Sequence, residues 1–225
     1  MLTVSINSVN PAEVGSAMLV VALVENPTLA GIAGLDSATQ GALSRMIEMK
    51  DFRGSRDETL HLTGVPKGPR RILLVGMGPV TDRRASFRRA ATLAARNAQR
   101  LGVGEMAWYS GQIAPEEIEA ITAGLIAGSW EYTDLKSQPP EAERKKPLEK
   151  AVILTSNTDD SRRALANGQA IGAGLGLARR LSMMPGNICT PEYLAQTATD
   201  IAKRHGMGIT VLGRREMEAE ARPAA

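Results

Sequence analysis

The chain has 225 residues, 43% of them hydrophobic but only 3% aromatic, which predicts a globular protein with an aliphatic core. Its 27 basic and 24 acidic residues give a net charge of +3, which permits an anionic partner without requiring one. A single cysteine, Cys189, excludes an internal disulfide and a thiolate zinc site. Neither a secretory leader nor an apolar run of ~18 residues is evident, so we expect a cytoplasmic protein without membrane contact.

Strand and helix signals alternate through the first hundred residues. Short apolar stretches predict buried strands at 17–24 and 71–76, and a weaker strand signal covers 59–62. Apolar residues at helical spacing predict one helix over 36–49 and another over 82–101.

The same alternation continues in the second half. Strands and helices again follow one another, and a polar, proline-containing linker is predicted over 137–147. Strands are predicted over 105–110 and 151–155, with a helix over 115–130 between them. A long helix is predicted over 159–181, and a helix that begins at Thr190-Pro191-Glu192 runs to about 205. A strand over 208–212 precedes the start of a last helix. This alternation indicates an α/β fold with a largely parallel sheet.

The predicted helix over 82–101 is rich in arginine. Its apolar face is predicted to hold Phe87, Ala90, Ala94, Ala98 and Leu101. The opposite face carries candidate nucleic-acid contacts, whose positive charges would neutralise phosphates: Arg84, Arg88, Arg96 and Arg100. An ordinary solvated face explains the same pattern and is favoured, because no aromatic residues for base stacking are interleaved.

A glycine pair follows the predicted strand at 71–76. Gly76 and Gly78 stand where backbone N–H groups at a helix start can bind a phosphate. The full dinucleotide pattern is incomplete, because Thr81 takes the place of its third glycine and Glu105 lies too far along the chain. A tight turn is therefore favoured over a phosphate site.

Residues that bind metals or act as nucleophiles are few and scattered. His61 and His205 are far apart in sequence, and Cys189 has no general base near it in sequence. The pair Asp159 and Asp160 resembles a helix start, since adjacent helical residues do not face one another. We therefore predict neither a catalytic residue nor a metal ligand in this chain.

The stretch 177–195 reads Leu-Ala-Arg-Arg-Leu-Ser-Met-Met-Pro-Gly-Asn-Ile-Cys-Thr-Pro-Glu-Tyr-Leu-Ala. It is similar to the segment that leads into the catalytic domain of the leucyl aminopeptidase, or cytosol aminopeptidase, family. There a helix ending in Ala-Arg-x-Leu precedes a Pro-x-Asn loop and a Thr-Pro-x-x-Leu-Ala helix start. The matching residues are Ala178, Arg179, Leu181, Pro185, Asn187, Thr190, Pro191, Leu194 and Ala195. Upstream, 51–54 (Asp-Phe-Arg-Gly) and 73–78 resemble two further family turns, whereas Arg180, Met183 and Gly186 depart from the common pattern.

This resemblance implies a macro-domain-like N-terminal domain over 1–157, in which a mixed, largely parallel sheet is flanked by helices. A linker helix over 158–182 and the truncated start of a catalytic domain over 183–225 would follow. Family members are hexameric metalloaminopeptidases, which remove N-terminal residues from peptides with two divalent cations, such as manganese or zinc. Their metal ligands lie in the C-terminal domain. We therefore expect a chain that is non-catalytic and inactive alone; the alternative is a DNA- or nucleotide-binding regulatory module.

Two further expectations depend on that resemblance. The triplet 157–159 (Asn-Thr-Asp) imitates the start of the family's Asn-Thr-Asp-Ala-Glu-Gly-Arg motif, but the residues that follow differ, and we interpret it as a coincidence. Residues that would pack in the rest of the catalytic domain are expected to form an exposed apolar patch: Ile201, Ile209, Val211 and Leu212.

Overall fold

The structure is a computed structural model that describes residues 2–28, 31–64, 68–137 and 139–220. Within these ranges one six-stranded sheet has the order β1-β6-β5-β2-β4-β3, and only β3 runs antiparallel to its neighbour. The strands are β1 (Thr3–Asn7), β2 (Met18–Leu23), β3 (Thr59–Thr63), β4 (Arg71–Gly76), β5 (Glu105–Tyr109) and β6 (Lys150–Leu154). The predicted α/β class with a mixed, largely parallel sheet is confirmed.

Helices cover both faces of the sheet. The helices of the described ranges are α1 (Ala33–Ala38), α2 (Ala42–Glu48), α3 (Arg83–Leu101), α4 (Pro115–Ser129), α5 (Asp159–Met183), α6 (Pro191–His205) and α7 (Arg214–Glu220), of which α1 to α4 contribute to the two cores beside the sheet. One core lies beneath α3 and α4, and a second lies beneath α1 and α2 on the other face. The central strands contribute to both cores, which is why β2 and β4 are apolar at nearly every position.

Small residues allow α3 and α4 to approach closely. A Cβ added to Gly128 would lie 2.9 Å from the Ala95 Cβ, and one added to Gly124 would lie 3.0 Å from the Ala91 Cβ. A bulkier residue at either glycine would force the helices apart. This tight pair fixes the position of α3 over the sheet.

The structure corrects several sequence predictions in its first half. The helix predicted over 36–49 is two short helices, because Gln40 (φ 55°) and Gly41 (φ 74°) adopt left-handed conformations that interrupt it. Strand β1 was not predicted, although the apolar Val4 and Ile6 alternate with polar residues along it. Leu101, placed on the apolar face of its helix, is 41% exposed at the end of α3.

The strand predicted over 208–212 is wrong. Residues 207–213 form neither helix nor strand, and Ile209, Val211 and Leu212 are exposed. A strand needs a neighbour for its backbone hydrogen bonds, and none pairs with this segment in the part of the chain described.

The chain divides into two compact units, residues 1–176 and 177–225. The first contains the sheet and both cores. The second contains α6 and α7, and among its described residues only Ala202 is buried. No helix in the described ranges is both long and apolar enough to cross a membrane.

Candidate functional site

The glycine turn after β4 packs against the loop that follows α2. The Gly76 N–H donates to the Glu58 carbonyl over 2.8 Å, and the Gly78 N–H donates to the Gly54 carbonyl over 2.9 Å. The Met77 N–H between them donates to the Leu23 carbonyl over 2.8 Å. All three amides are therefore engaged within the chain, and the geometry does not favour a phosphate at them.

Close backbone packing explains the glycines of this turn. A Cβ on Gly76 would overlap the Ser55 carbonyl oxygen and lie 2.7 Å from the Gly54 carbonyl carbon. Gly54 itself has φ 73°, and a Cβ there would overlap the Val24 carbonyl oxygen. The two family-like turns at 51–54 and 73–78 thus contact one another. Gly76 must be glycine for this contact, whereas Gly54 must be glycine because it lies against Val24.

One carboxylate, which sequence analysis missed, fixes this loop. Glu58 Oε2 accepts hydrogen bonds from the Arg53 N–H at 3.0 Å and the Ser55 N–H at 2.9 Å. The only signal for this role in the sequence is that Glu58 follows Gly54 by four residues.

A cleft of about 220 Å³ opens at the carboxyl ends of β2, β4 and β5, which is where ligands bind in open α/β sheets. Its lining includes Met77, Arg83, Phe87, Tyr109 and Ser110. The Tyr109 hydroxyl donates to the Gly31 carbonyl over 2.7 Å and steadies one wall.

Arg83 is the charged residue of this cleft. Its guanidinium lies 5.4 Å from the centre of the Phe87 ring, and its Nε donates to Glu117 Oε1. That hydrogen bond, together with the negative charge of Glu117, raises the pKa of Arg83 above its ordinary value, although partial burial opposes this. Because Glu117 balances the charge of Arg83, the pair gives the cleft little net charge.

The arginines of α3 have different surroundings. Arg84 pairs with Glu119 of α4, and Arg100 donates to Asn97 Oδ1 over 3.0 Å. Arg88 and Arg96 are exposed, and no ion pair to either is seen among the described residues. The predicted nucleic-acid face therefore contains one arginine used to bind α4, and for all four residues nucleic-acid contact stays a prediction.

Arg89, on the same helix, links α3 to the glycine turn. It donates to Asp57 Oδ1 over 3.0 Å and to the Met77 carbonyl over 3.0 Å.

The remaining candidates lie apart. Asp159 pairs with Arg162, and Asp160 lies 3.8 Å from Arg163, so each carboxylate has an arginine one turn later on α5. His61 lies on β3, with its Nε2 buried and without a hydrogen-bond partner in the described ranges. His205 is the exposed last residue of α6 and Cys189 is half-buried. No group of three or more His, Cys, Asp or Glu residues that could hold a metal occurs in the described part of the chain.

Comparisons with known proteins agree with this architecture. Residues 20–139 match the model of the cytosol aminopeptidase family, N-terminal domain. A probable cytosol aminopeptidase of Cupriavidus necator is 37% identical over 220 residues, which cover 89% of this chain and 43% of that protein. One of Ralstonia nicotianae is 36% identical over 222 residues, covering 91% of this chain and 43% of that protein. The chain thus spans less than half the length of these relatives.

Solved structures show the same fold. A mutant of tomato leucine aminopeptidase superposes with a TM-score of 0.81 at 22% identity, over 97% of this chain and 46% of that one. The bottromycin maturation enzyme BotP in complex with Mn superposes with a TM-score of 0.67 at 22% identity, over 91% of this chain and 40% of that one. Together with the family match over residues 20–139, this shows that the chain belongs to the cytosol aminopeptidase family and carries its N-terminal domain.

Proposed function

We propose that this chain is the N-terminal, non-catalytic portion of a leucyl aminopeptidase-type metalloexopeptidase, and that it does not hydrolyse peptides alone. The match of residues 20–139 to the family's N-terminal domain carries the proposal. The 43% share of the curated relatives covered by the chain supports it. In this proposal the release of N-terminal amino acids depends on residues outside the 225 present here.

The metal chemistry is assigned to those other residues. Two divalent cations, manganese or zinc, would need several converging carboxylates to bind them and to activate a water molecule. The residues described here do not fit such a site: Asp159 and Asp160 each have an arginine within ion-pair distance, and no acidic or histidine cluster is found in the described ranges. We therefore assign no catalytic step to the residues of this chain.

We further propose the domain boundaries that the resemblance implies: the N-terminal domain over 1–157, a linker helix over 158–182 and the start of the catalytic domain over 183–225. The start of α5 at Asp159 supports the first boundary. By the same resemblance, we propose that the complete enzyme acts in the cytoplasm as a homo-hexamer.

Peptidase activity tests the central proposal. The purified 225-residue chain is incubated with Leu-p-nitroanilide and Mn²⁺ or Zn²⁺, beside a full-length cytosol aminopeptidase as the positive control. We expect release of p-nitroaniline by the control alone. Metal-dependent turnover by the 225-residue chain, copurifying with it through two columns, would show that the proposal is wrong.

Association in solution tests the assignment of the last segment. Ile209, Val211 and Leu212 are 43%, 53% and 39% exposed, whereas Ile201 is half-buried. We propose that the rest of a catalytic domain covers the exposed residues in the complete enzyme. Light scattering of the isolated chain should show concentration-dependent association, and replacing the three with serine should reduce it. A monomer at all concentrations would contradict this assignment.

A further inference from the structure

The cleft at the carboxyl ends of β2, β4 and β5 has the size and walls of a site for a small organic molecule. Its volume of about 220 Å³ exceeds the cavity of about 150 Å³ that admits benzene in a protein, and it falls short of the roughly 300–1,000 Å³ of drug-sized sites. The inner wall is apolar: Ala22, Ile32, Met77 and Phe87 are each 3% exposed or less. The cleft therefore has room for about six carbon atoms and one small polar group.

Arg83 lines this cleft with its guanidinium held in place. Its Nε donates to Glu117 Oε1, and the guanidinium lies 5.4 Å from the centre of the Phe87 ring. Glu117 is itself fixed, since its Oε2 accepts the Ala114 N–H at 2.9 Å and its side chain is 6% exposed. No described residue accepts a hydrogen bond from the two terminal nitrogens of Arg83. Their N–H groups are therefore available to an acceptor, and a guanidinium that is already held loses little entropy when it binds one.

Ser110 supplies a second donor at the end of β5. Its Oγ accepts the indole Nε1–H of the fully buried Trp108 over 3.0 Å. Because an indole N–H only donates, the hydroxyl hydrogen of Ser110 is left to donate elsewhere. Among the described residues this hydroxyl has no acceptor. Arg83 and Ser110 thus present N–H and O–H donors to the same cleft.

The charges around the cleft select the charge of its ligand. Its described lining contains no aspartate, glutamate, histidine or cysteine, so it offers neither metal ligands nor a carboxylate for an amine. An uncharged apolar molecule would cover Arg83 without giving it an acceptor. A phosphate dianion would meet a single guanidinium whose charge Glu117 already balances. A carboxylate carries one negative charge and accepts from both donors, with the geometry that a guanidinium prefers.

We propose that this cleft binds a small monocarboxylate with an apolar body of about six carbon atoms. The carboxylate accepts from Arg83 and Ser110, and the apolar body packs against Met77 and Phe87. A short-chain carboxylic acid and a free apolar amino acid share this chemistry. The amino acid also carries an ammonium group, for which the described lining has no acidic partner, so the simple acid should bind more tightly. This site goes beyond the proposed peptidase role and does not depend on it.

The indole N–H signals of the two tryptophans locate the ligand in an NMR titration of the ¹⁵N-labelled 225-residue chain. With 4-methylpentanoate we expect the signal of Trp108 to shift, because its N–H donates to Ser110. The signal of Trp130, which does not line the cleft, should stay in place. The Trp130→Phe substitution assigns the two signals. A shift of the Trp130 signal alone would overturn the proposal.

Two probes of the same size as 4-methylpentanoate test the carboxylate and identify its source. The uncharged 4-methylpentanamide should bind at least about tenfold more weakly, since hydrogen bonds to a charged group are the stronger ones. An amide that binds as tightly as the acid would overturn the proposal. Leucine adds an ammonium group: weaker binding than the acid identifies a simple carboxylic acid as the ligand, and tighter binding identifies a free amino acid.

Arg83→Gln and Arg84→Gln form a matched pair of variants. Both arginines begin α3 and pair with a glutamate of α4, but only Arg83 lines the cleft. Arg83→Gln should weaken binding of 4-methylpentanoate by about tenfold or more, and Arg84→Gln by less than about twofold. Equal weakening by both would overturn the proposal, because the effect would then reflect net charge alone.

Ser110→Ala keeps the proposal testable if Arg83→Gln does not fold, since it leaves the ion pair of Arg83 and Glu117 intact. It should weaken binding about threefold to tenfold, and an unchanged affinity would contradict the site. A series of straight-chain acids tests the cavity itself. From butanoate to hexanoate the affinity should rise about fourfold per methylene and then level off as the cleft fills. A rise that continues to decanoate would overturn the proposal, because it would indicate binding to open apolar surface.

Discussion

At the scale of single residues, Gly76 is the position where one methyl group has the largest predicted effect. The Gly76→Ala substitution would push a Cβ into the Ser55 carbonyl and to 2.7 Å from the Gly54 carbonyl carbon. Both obstacles are backbone, so relief requires the turn after β4 and the loop after α2 to separate. We expect a loss of about 2–3 kcal/mol in the free energy of unfolding, measured with urea.

Gly15→Ala is the control for this prediction, because a Cβ there meets no heavy atom within 4 Å. It should change the stability by less than about 0.5 kcal/mol. Equal effects of the two substitutions would show that Gly76 is not held by backbone packing.

Two glutamates on α4 provide a second comparison between residues. Glu117 pairs with Arg83 and also accepts the Ala114 N–H at 2.9 Å, and its side chain is 6% exposed. Glu119 pairs with Arg84, with a side chain 18% exposed. Glu117→Ala should cost about 1–3 kcal/mol, because it leaves the Ala114 amide and Arg83 without their partner. Glu119→Ala should cost less than about 1 kcal/mol. The reverse order in urea denaturation would contradict the assignment.

At the scale of helices and strands, the glycines of α5 fit it against α4. A Cβ on Gly168 would lie 2.6 Å from both the Glu119 carbonyl oxygen and the Thr122 Cβ, whereas Gly174 has open space. Gly168→Ala should therefore destabilise the chain by about 1–3 kcal/mol. Gly174→Ala should stabilise α5 by roughly 0.5–1 kcal/mol, because alanine favours the helix. Calorimetry that finds both substitutions stabilising would show that α5 does not pack closely at Gly168.

The contacts at the start of α6 predict that the stability of this helix depends on pH. Thr190 Oγ1 accepts the Tyr193 N–H at 3.3 Å, and the pKa of Glu192 is lowered by a hydrogen bond from its own backbone amide and another from the Thr190 hydroxyl. Because the pKa is lowered in the folded state, the charged carboxylate stabilises the fold at pH values above its unfolded pKa of about 4.3. This stabilisation is lost as the pH falls. The helicity of α6 should decrease in the same direction.

NMR titration of the Glu192 carboxyl group measures this effect. Thr190→Ala should raise the pKa of Glu192 toward its ordinary value, and it should also weaken the helix by about 1 kcal/mol through loss of the cap. Thr190→Ser keeps a hydroxyl and should leave the pKa low. An unchanged pKa in Thr190→Ala would mean that the threonine has no part in it.

At the scale of the whole molecule, the two units are predicted to contribute unequally to stability. Both hydrophobic cores lie in the first unit, and among the described residues of the second only Ala202 is buried. A chain cut after Met183, at the end of α5, should therefore unfold in urea within about 1 kcal/mol of the full chain. A larger loss would show that residues after 183 stabilise the sheet domain.

The strands and helices with long periodic signals were predictable, and the site contacts were not. Three helices begin with residues that favour a helix start, which the sequence shows because a cap acts within a few residues. Asp82 caps α3, Pro115 is the first residue of α4, and Thr190 caps α6. Glu58 and Glu117, by contrast, acquire their roles from partners that the fold brings near them. The sequence predicted a tight turn after β4, but the partners of its amides lie far along the chain: Gly76 and Gly78 donate to a loop some twenty residues earlier, and Met77 donates to Leu23.

The sequence by itself determined the α/β class, the family and the positions of most strands and helices. The spacing of apolar residues, the helix caps and the short family motifs each involve residues that are close together in the chain. Only the tertiary structure decided which contacts those strands and helices make with one another. It divided the helix predicted over 36–49 and left 208–212 unpaired. It also matched Arg83 and Arg84 to glutamates on α4 and gathered Arg96, Arg100 and four residues of a distant segment into one groove. The ion pairs and the groove depend on contacts between residues far apart in the chain, which no local pattern encodes, whereas the break at Gln40 and Gly41 is a local change of backbone conformation.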